Sequence, residues 1–563
     1  MAQTFWYNNQ SGGINQYAAP NLLKDEQFEL IVNASQSEYG GIAHRDGVDL
    51  IQQISASNPI RGLDRFNKTD GTHYAHAVHQ GILYVSDTDG ANFTSQENAA
   101  GTELATSSTV EFANFLGRHY FVGSATGEYL RYATETGAST KVTVISDTAA
   151  AGSTGSTLVA TTTGTFNKGM VGLKIYNTTD TENRTITAYT NSTTVTVSSA
   201  INDTWDGDTI KIYMSGKYLA SDGSYMLVAG GAELPLRVYW TNAQLLLDLT
   251  SQSFFVESDY ANLDSPPTGV AAFGNGRPFV IFMSDSYLIV DPVSGRTNQV
   301  EGYGCSSHRS IKNLRGTLIW ADRDKIYQLA HNQAFPSEIS LPISNRYSRD
   351  AVTNKIAASY FDNIAAGTKD NKYIASLGDL SATVKGTTLD DCVIELDQDL
   401  NGWKTHTFTD SGLGTVFTTF IDSSGNEFLM AGSRDDGSIY EVFVEGIYTD
   451  DNNAGTTNAV TTTIITKRYV FGLREEIDLK NVKGIHLKYK SSGTITLTVA
   501  KDGSSTYDTF KTIPAASEYE WVYADYGQEA KSISLKFTST SNFIIYAIGF
   551  EIEVTGVTGR KSI

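Results

Sequence analysis

Cysteine occurs only twice in the chain, at Cys305 and Cys392. Neither belongs to a Cys-x-x-Cys pair or a Cys/His cluster, which excludes a disulfide framework and a cysteine-based zinc site. Two buried free thiols are the expectation. Proline is scarce at 10 residues, so no part of the chain is a proline-rich linker. Charged residues make up 18%, below the quarter typical of globular proteins, and they include no basic run. A nucleic-acid grip needs clustered Lys and Arg, whereas here 62 acids outnumber 42 bases and the net charge is −20. No stretch approaches the length of apolar residues that a membrane helix requires. The opening MAQTFWYNNQ has neither the basic nor the apolar segment of a signal peptide. The expectation is a chain without leader or membrane span. A Gly-x-Ser-x-Gly elbow, a P-loop and a dinucleotide fingerprint are all missing.

The residues that fill the space are those of strands and tight turns: 50 Gly, 30 Tyr and 25 Phe, with abundant Thr and Ser. At 563 residues the chain is too long for one core and predicts roughly two to four domains. From about residue 61 a rhythm begins. Short apolar strands such as Ile82-Leu83-Tyr84-Val85, Tyr225-Met226-Leu227-Val228 and Phe279-Val280-Ile281-Phe282 alternate with Asp/Gly turns. The unit recurs every 40 to 50 residues or so, the size of a four-stranded propeller blade. The predicted class is all-β: a propeller of five to seven blades over residues 61–138 and 215–456, with an array of β-sandwiches as the structural alternative.

Three segments depart from the rhythm. Residues 1–60 read as an arm, with a short helix expected from Asn21 to Phe28, where Asn21 would cap and Asp25 and Glu26 would favour the first turn. Residues 139–214 are Thr-rich with period-two strands, and are expected to form a small β-sandwich inserted into a propeller loop. Residues 457–563 predict a C-terminal β-sandwich. There Ile485, Leu487 and Tyr489, then Ile495, Leu497 and Val499, then Ile533, Leu535 and Phe537 alternate with polar residues. A last stripe runs Ile544, Tyr546, Ile548, Phe550, Ile552 and Val554.

Few residues suggest chemistry. His73, His76 and His79 are the only metal candidates. On a strand the first and third share a face and the second opposes them, and no Glu completes a zinc-protease motif. Ser86-Asp87-Thr88-Asp89-Gly90-Ala91-Asn92-Phe93 is close to the Asp-box that pins blade turns in sialidase-type propellers. Its key acidic position holds Thr88, and even a full Asp-box would report fold rather than catalysis. Asp285, Asp291, Asp322, Asp324, Asp435 and Asp436 could pair as glycosidase carboxylates only if two faced each other across a site. Beside Gly and Ser they read more simply as turn residues. Tyr287, Tyr303, Tyr327, Trp403, Tyr440, Tyr519, Trp521 and Tyr523 could stack sugars, or serve as core and subunit contacts. No cofactor is expected.

One resemblance ties the segments together. The opening Ser11-Gly12-Gly13-Ile14-Asn15, Asp25-Glu26-Gln27, Val32-Asn33, Gly40-Gly41-Ile42 and Arg45-Asp46-Gly47 resembles that of phage tail proteins of the nozzle, or tail tubular protein B, type. The Thr-rich insert is similar to a small sandwich that recurs in virion proteins. The ending, with Arg468-Tyr469-Val470-Phe471, Ile545-Tyr546-Ala547-Ile548-Gly549-Phe550-Glu551-Ile552 and Arg560, also resembles those tails. The resemblance implies a non-enzymatic virion protein, assembled in the host cytoplasm as a ring of six around the DNA ejection channel. Its partners would be the portal and adaptor on one side and tail fibre or spike proteins on the other. Six copies would carry a charge of about −120, a wall along which DNA slides without specific binding. Two alternatives stay open: a receptor-binding hub or fibre that recognises host glycans, and a propeller glycosidase.

Overall fold

Seven four-stranded blades stand around a common axis in the computed structural model, five of them separate sheets and two continuous with larger sheets. It describes residues 2–553 apart from 38–39, 97–103, 126, 137, 202–204, 242–259, 275, 324, 345–355, 357, 385–386, 401, 409–411, 453 and 472–478. Asp324, Val554 and Arg560, singled out above, lie outside the described residues. The inner strands of the seven blades are Ile60–Asn67, Val110–Phe115, Tyr218–Ser221, Gly269–Ala272, Lys312–Leu314, Ala365–Lys369 and Leu413–Ile421. Each lies beside the next, and the last returns to the first. The protein is therefore an all-β propeller, at the upper end of the blade number that the rhythm predicts.

The local cause is legible in the strands next to the inner ones. Met226–Ala229 and Phe279–Phe282 are buried at every position, because blades cover both faces of these strands. They accordingly read as unbroken apolar runs rather than alternations. Adjacent blades interlock through rings: Phe282 and Tyr287 of blade four meet Trp320 of blade five at centroid distances of 4.9 and 6.4 Å. The outer strands of blades one, two and five, Thr94–Ser95, Thr140–Lys141 and Ser337–Glu338, are short and exposed, which blunts those edges.

The ring is closed by a strand from far away in sequence. Blade seven takes its outer strand from Gly47–Gln53, antiparallel to Ser438–Val444. Blade six is not a free blade either. Its outer strand Gly402–His406 pairs in parallel with Phe28–Val32, which continues into Thr462–Thr466, Ser532–Ser539, Ile495–Lys501 and Asp508–Ile513. A second sheet, from Ala34–Gln36, Ile42–His44, Phe543–Glu553, Lys480–Ser491, Ala516–Ala530 and Ala2–Tyr7, packs over those strands to complete the C-terminal sandwich. The boundaries at 60 and 457 thus run through shared sheets: residues 1–60 are a strap that supplies strands to the sandwich and to blade seven.

Two sequence expectations are corrected. No helix forms over Asn21–Phe28. The chain makes two turns, with Leu22 N–H donating to Ala19 O (2.8 Å) and Gln27 N–H to Lys24 O (3.0 Å), before Phe28 begins a strand. Only Leu23 is buried in that stretch before Phe28, so a helix would have had no apolar stripe to bury. The last sandwich strand also changes face. Lys488 pairs with Ala547 but Tyr489 with Ile545. The extra residue is a bulge that inverts the alternation. Ile545 is therefore in the core while Ile544 and Tyr546 are only partly buried.

The Thr-rich insert lies between blades two and three. Its six strands make one continuous sheet whose two halves face each other, and its ends meet at the Ala149–Ala160 bridge. Trp205, Ile175, Ile210 and Ile212 fill the interior, which is continuous with Phe115, Tyr120 and Val122 of blade two.

Candidate functional site

Four of the opening residues that carry the resemblance, Gly13, Asn33, Arg45 and Gly47, lie along the seam between strap, propeller and sandwich. Arg45 is fully buried, and all five of its N–H donors are used. Nε donates to Asn33 Oδ1 (3.1 Å). Nη1 donates to Asp46 O and Asp450 Oδ1 (2.8 Å each), and Nη2 to Thr407 O (2.9 Å) and Asp450 Oδ2 (2.5 Å). Its guanidinium also lies over the Phe408 ring at 4.3 Å. Asn33 adopts φ +59°, a conformation Asn tolerates. From there it donates to Thr407 Oγ1 and Thr461 O at 2.9 Å each, and accepts from Thr407 N–H at 2.8 Å. Glycine is required where backbones touch. A Cβ on Gly13 would lie 2.7 Å from Gly402 Cα, and one on Gly47 would lie 1.9 Å from Thr449 O.

A second polar cluster fills the propeller axis. Arg309, just before blade five, reaches across it. Its Nε donates to Glu111 Oε1 of blade two (3.1 Å), Nη1 to Thr415 O of blade seven (2.9 Å), and Nη2 to Arg61 O of blade one. His308 accepts from Val270 N–H at Nδ1 (3.2 Å) and faces Glu111 with Nε2 at 3.5 Å. Deeper in, Asp64 accepts from Thr418 Oγ1 (3.0 Å) and pairs with His119 Nε2 (3.1 Å), while His119 Nδ1 meets His76 Nδ1 at 3.0 Å. Burial raises the Asp64 carboxyl, but the hydrogen bond and charge of His119 outweigh it and hold the group below its usual range. Burial pushes Lys312 down while Asp64 and Glu111 pull it back. Burial also lowers His76 and His308.

This arrangement binds blades one, two, five and seven together across the axis. His76 and His119 are completely buried, while the Asp64 side chain, about a third exposed, faces the axial cavities. The free space left along the axis is about 120 Å³ beside Glu111 and Lys312 and about 210 Å³ beside Asp64 and Thr418. That is room for roughly four to seven waters. The propeller axis is a plugged core and not a conduit.

The structure does not bring the three candidate histidines together. All lie on the strand His73–His79. His76 points to the axis, while His79 Nε2 contacts Ser57 O and Asn58 O (2.9 and 3.2 Å). His73 is lowered by burial and by Arg65. Among the described residues no three metal-binding side chains cluster. In the near-Asp-box, Asp87 does the work that the motif assigns to Thr88's position. Its carboxylate accepts from Asp89 N–H (3.1 Å), Ala91 N–H (2.8 Å) and Asn92 Nδ2 (2.6 Å). Asp291 and Asp436 likewise accept from Val293 and Ser438 N–H (3.0 and 2.9 Å) in separate blades. Tyr287, Trp403 and Tyr440 are core residues. Tyr519, Trp521 and Tyr523 are exposed on the strand Ala516–Ala530, where Trp6 meets Trp521 edge-on at 4.9 Å and Tyr519 Oη meets Tyr546 Oη at 2.6 Å. The axial acids and bases were not singled out in sequence. Their signal was a charged residue such as Asp64 interrupting the apolar strand Ile60–Asn67.

No protein-family model matches the chain and no curated protein matches it. Among solved structures, the chain is similar to one in the crystal structure of the mitotic checkpoint complex: 8% identity, TM-score 0.37, covering 71% of this chain and 93% of that one. It is similar to U3-55K at 8% identity and TM-score 0.36, covering 71% and 98%. The propeller assignment rests on the strand order above and not on these likenesses.

Proposed function

We propose that this chain is a non-enzymatic building block of a phage tail, assembled as a ring of six around the path of ejected DNA. The observation that carries the reading is the seam. Gly13, Asn33, Arg45 and Gly47, on which the resemblance to nozzle-type tail proteins partly rests, are among the residues that lock strap, propeller and sandwich into one body. A particle wall needs a rigid multi-part subunit of that kind. The plugged axis fits a DNA path that runs outside the propeller, between copies, where a net charge of −20 per chain would repel the phosphates. Electron cryo-microscopy of purified particles tests this. Six copies around an axial channel are expected. Absence of the chain from particles, or copies splayed off the tail axis, overturns it.

A second reading is favoured by the exposed aromatic strip of Trp6, Tyr519, Trp521 and Tyr523, with Lys488 near Trp521 at 5.9 Å. Such rings could bind host glycans at the tail periphery. On a glycan array that reading expects saturable signal that falls at least about tenfold in Trp521→Ala, a loss of about 1.4 kcal/mol. Silence across the array removes it.

A further inference from the structure

The two faces of the propeller carry opposite charge. On the face where inner strands end, a cavity of about 870 Å³ is lined by seven carboxylates, including Asp89, Asp422, Glu427 and Glu441, against one lysine, Lys369. On the face where inner strands begin, the axis opens into a cavity of about 740 Å³ lined by Arg61, Lys217, Arg309, Arg323 and Arg434 with only two carboxylates, Glu111 and Asp362. In a chain of net charge −20 this is a concentrated reversal of sign.

The cations at this mouth are not all spent within the protein. Arg309 is neutralised by Glu111 (3.1 Å) and Arg434 by Asp391 (2.5 Å). The Arg61 guanidinium, half buried and repelled by Arg309, has no hydrogen-bond or ion-pair partner among the described residues. Lys217 only lies over the Tyr218 ring at 5.1 Å. An unpaired, partly desolvated guanidinium is costly unless something else supplies the anion. The charges are also spread around the rim: Arg61 on blade one, Lys217 leading into blade three, Arg323 in a hairpin of blade five and Arg434 in one of blade seven. A single phosphate needs donors converging on one point, whereas charges spaced around a funnel suit several carboxylates along an extended chain. Pro59, Pro266 and Tyr360 add apolar wall between the cations.

We infer that this mouth is a docking site for an acidic, extended polypeptide segment of a partner protein. The charge-complementary contact is made by Arg61, Lys217 and Arg323, with Arg309 as the floor. This inference does not depend on the ring.

Fluorescence anisotropy of the full chain with a fluorescein-labelled hexaglutamate peptide tests it. Saturable binding is expected at low ionic strength, weakening as salt shortens the screening length to about 8 Å. The Arg61→Glu/Lys217→Glu double variant should bind at least about tenfold more weakly, while Glu427→Lys on the opposite face should bind as the parent does. Inorganic pyrophosphate at equal total charge should not displace the peptide. Should the double variant fail to fold by circular dichroism, the exposed Arg323→Glu decides, with a loss of several-fold expected. No saturable binding by the parent, undiminished binding in the deciding variant, or displacement by pyrophosphate at equal charge overturns the inference.

Discussion

Arg45→Ala destabilises the protein by about 3–5 kcal/mol, the cost of leaving one member of a buried ion pair alone. The deletion orphans the Asp450 carboxylate, which is 3% exposed, together with the Thr407 carbonyl, and takes one of two donors from Asn33 Oδ1. It also empties the volume over Phe408. The consequence extends beyond stability, because the three segments that Arg45 ties together lie at residues 33–46, 407–408 and 450. With the tie gone, the strap should become the first place a protease cuts, ahead of any propeller loop. Denaturant unfolding and limited proteolysis with mass spectrometry read both effects. Arg45→Met/Asp450→Leu should recover much of the loss, since an apolar pair of similar volume avoids the desolvation that a lone charge suffers. A single variant that unfolds as the parent does, with an unchanged cleavage map, would show that the seam is not what holds the strap.

Stability should also fall steeply as the solution is acidified below pH 6.5. Burial lowers five histidines, His44, His73, His76, His308 and His406, below the ordinary value of 6.5. A histidine lowered in the folded state is protonated earlier in the unfolded chain. Its contribution is therefore whole above pH 6.5 and is lost as pH drops from 6.5 towards the folded value. Each adds a slope of up to about 1.4 kcal/mol per pH unit, and the five together up to about 7. Glu395 acts in a lower window. Burial raises it, but Lys404, Lys372 and His406 outweigh that and hold it well below the carboxylate range. Its contribution is present above pH 4.5 and lost below. Thermal unfolding should be nearly flat from pH 8 to 7 and then drop sharply towards pH 5, with His76→Phe removing about a fifth of the slope. A flat profile down to pH 5 contradicts the assignment of these histidines as neutral in the fold.

The propeller was legible because its cause is local. A four-stranded blade needs short apolar strands and tight turns, and Asp/Gly turns flank runs such as Phe279–Phe282. The sandwich was legible for the same reason, in Ile485, Leu487 and Tyr489. What could not be read was pairing between distant segments. Nothing near Gly47 announces that its strand will lie beside Ser438–Val444, and nothing near Asn33 names Thr407 as its partner. The expected helix failed at Asn21 because capping and charge rules describe how a helix starts, while an apolar stripe decides whether it pays to form one. The bulge at Tyr546 escaped for a related reason: alternation assumes unbroken register. As for the candidate site, the motif residues were visible as a pattern, but their burial around Arg45 and the plug of Arg309, Asp64 and His119 became evident only once seven strands met at one axis.

The closure of blade seven has a consequence for synthesis. The strand Gly47–Gln53 leaves the ribosome early, and its partner Ser438–Val444 follows about 385 residues later, some 20 to 80 s at ordinary elongation rates. Throughout that interval the nascent chain carries an unpaired strand edge and an open ring, exposed to neighbouring chains on the same message. High-level expression should therefore depend on chaperone supply and on lowered translation density more than on the stability of the finished protein.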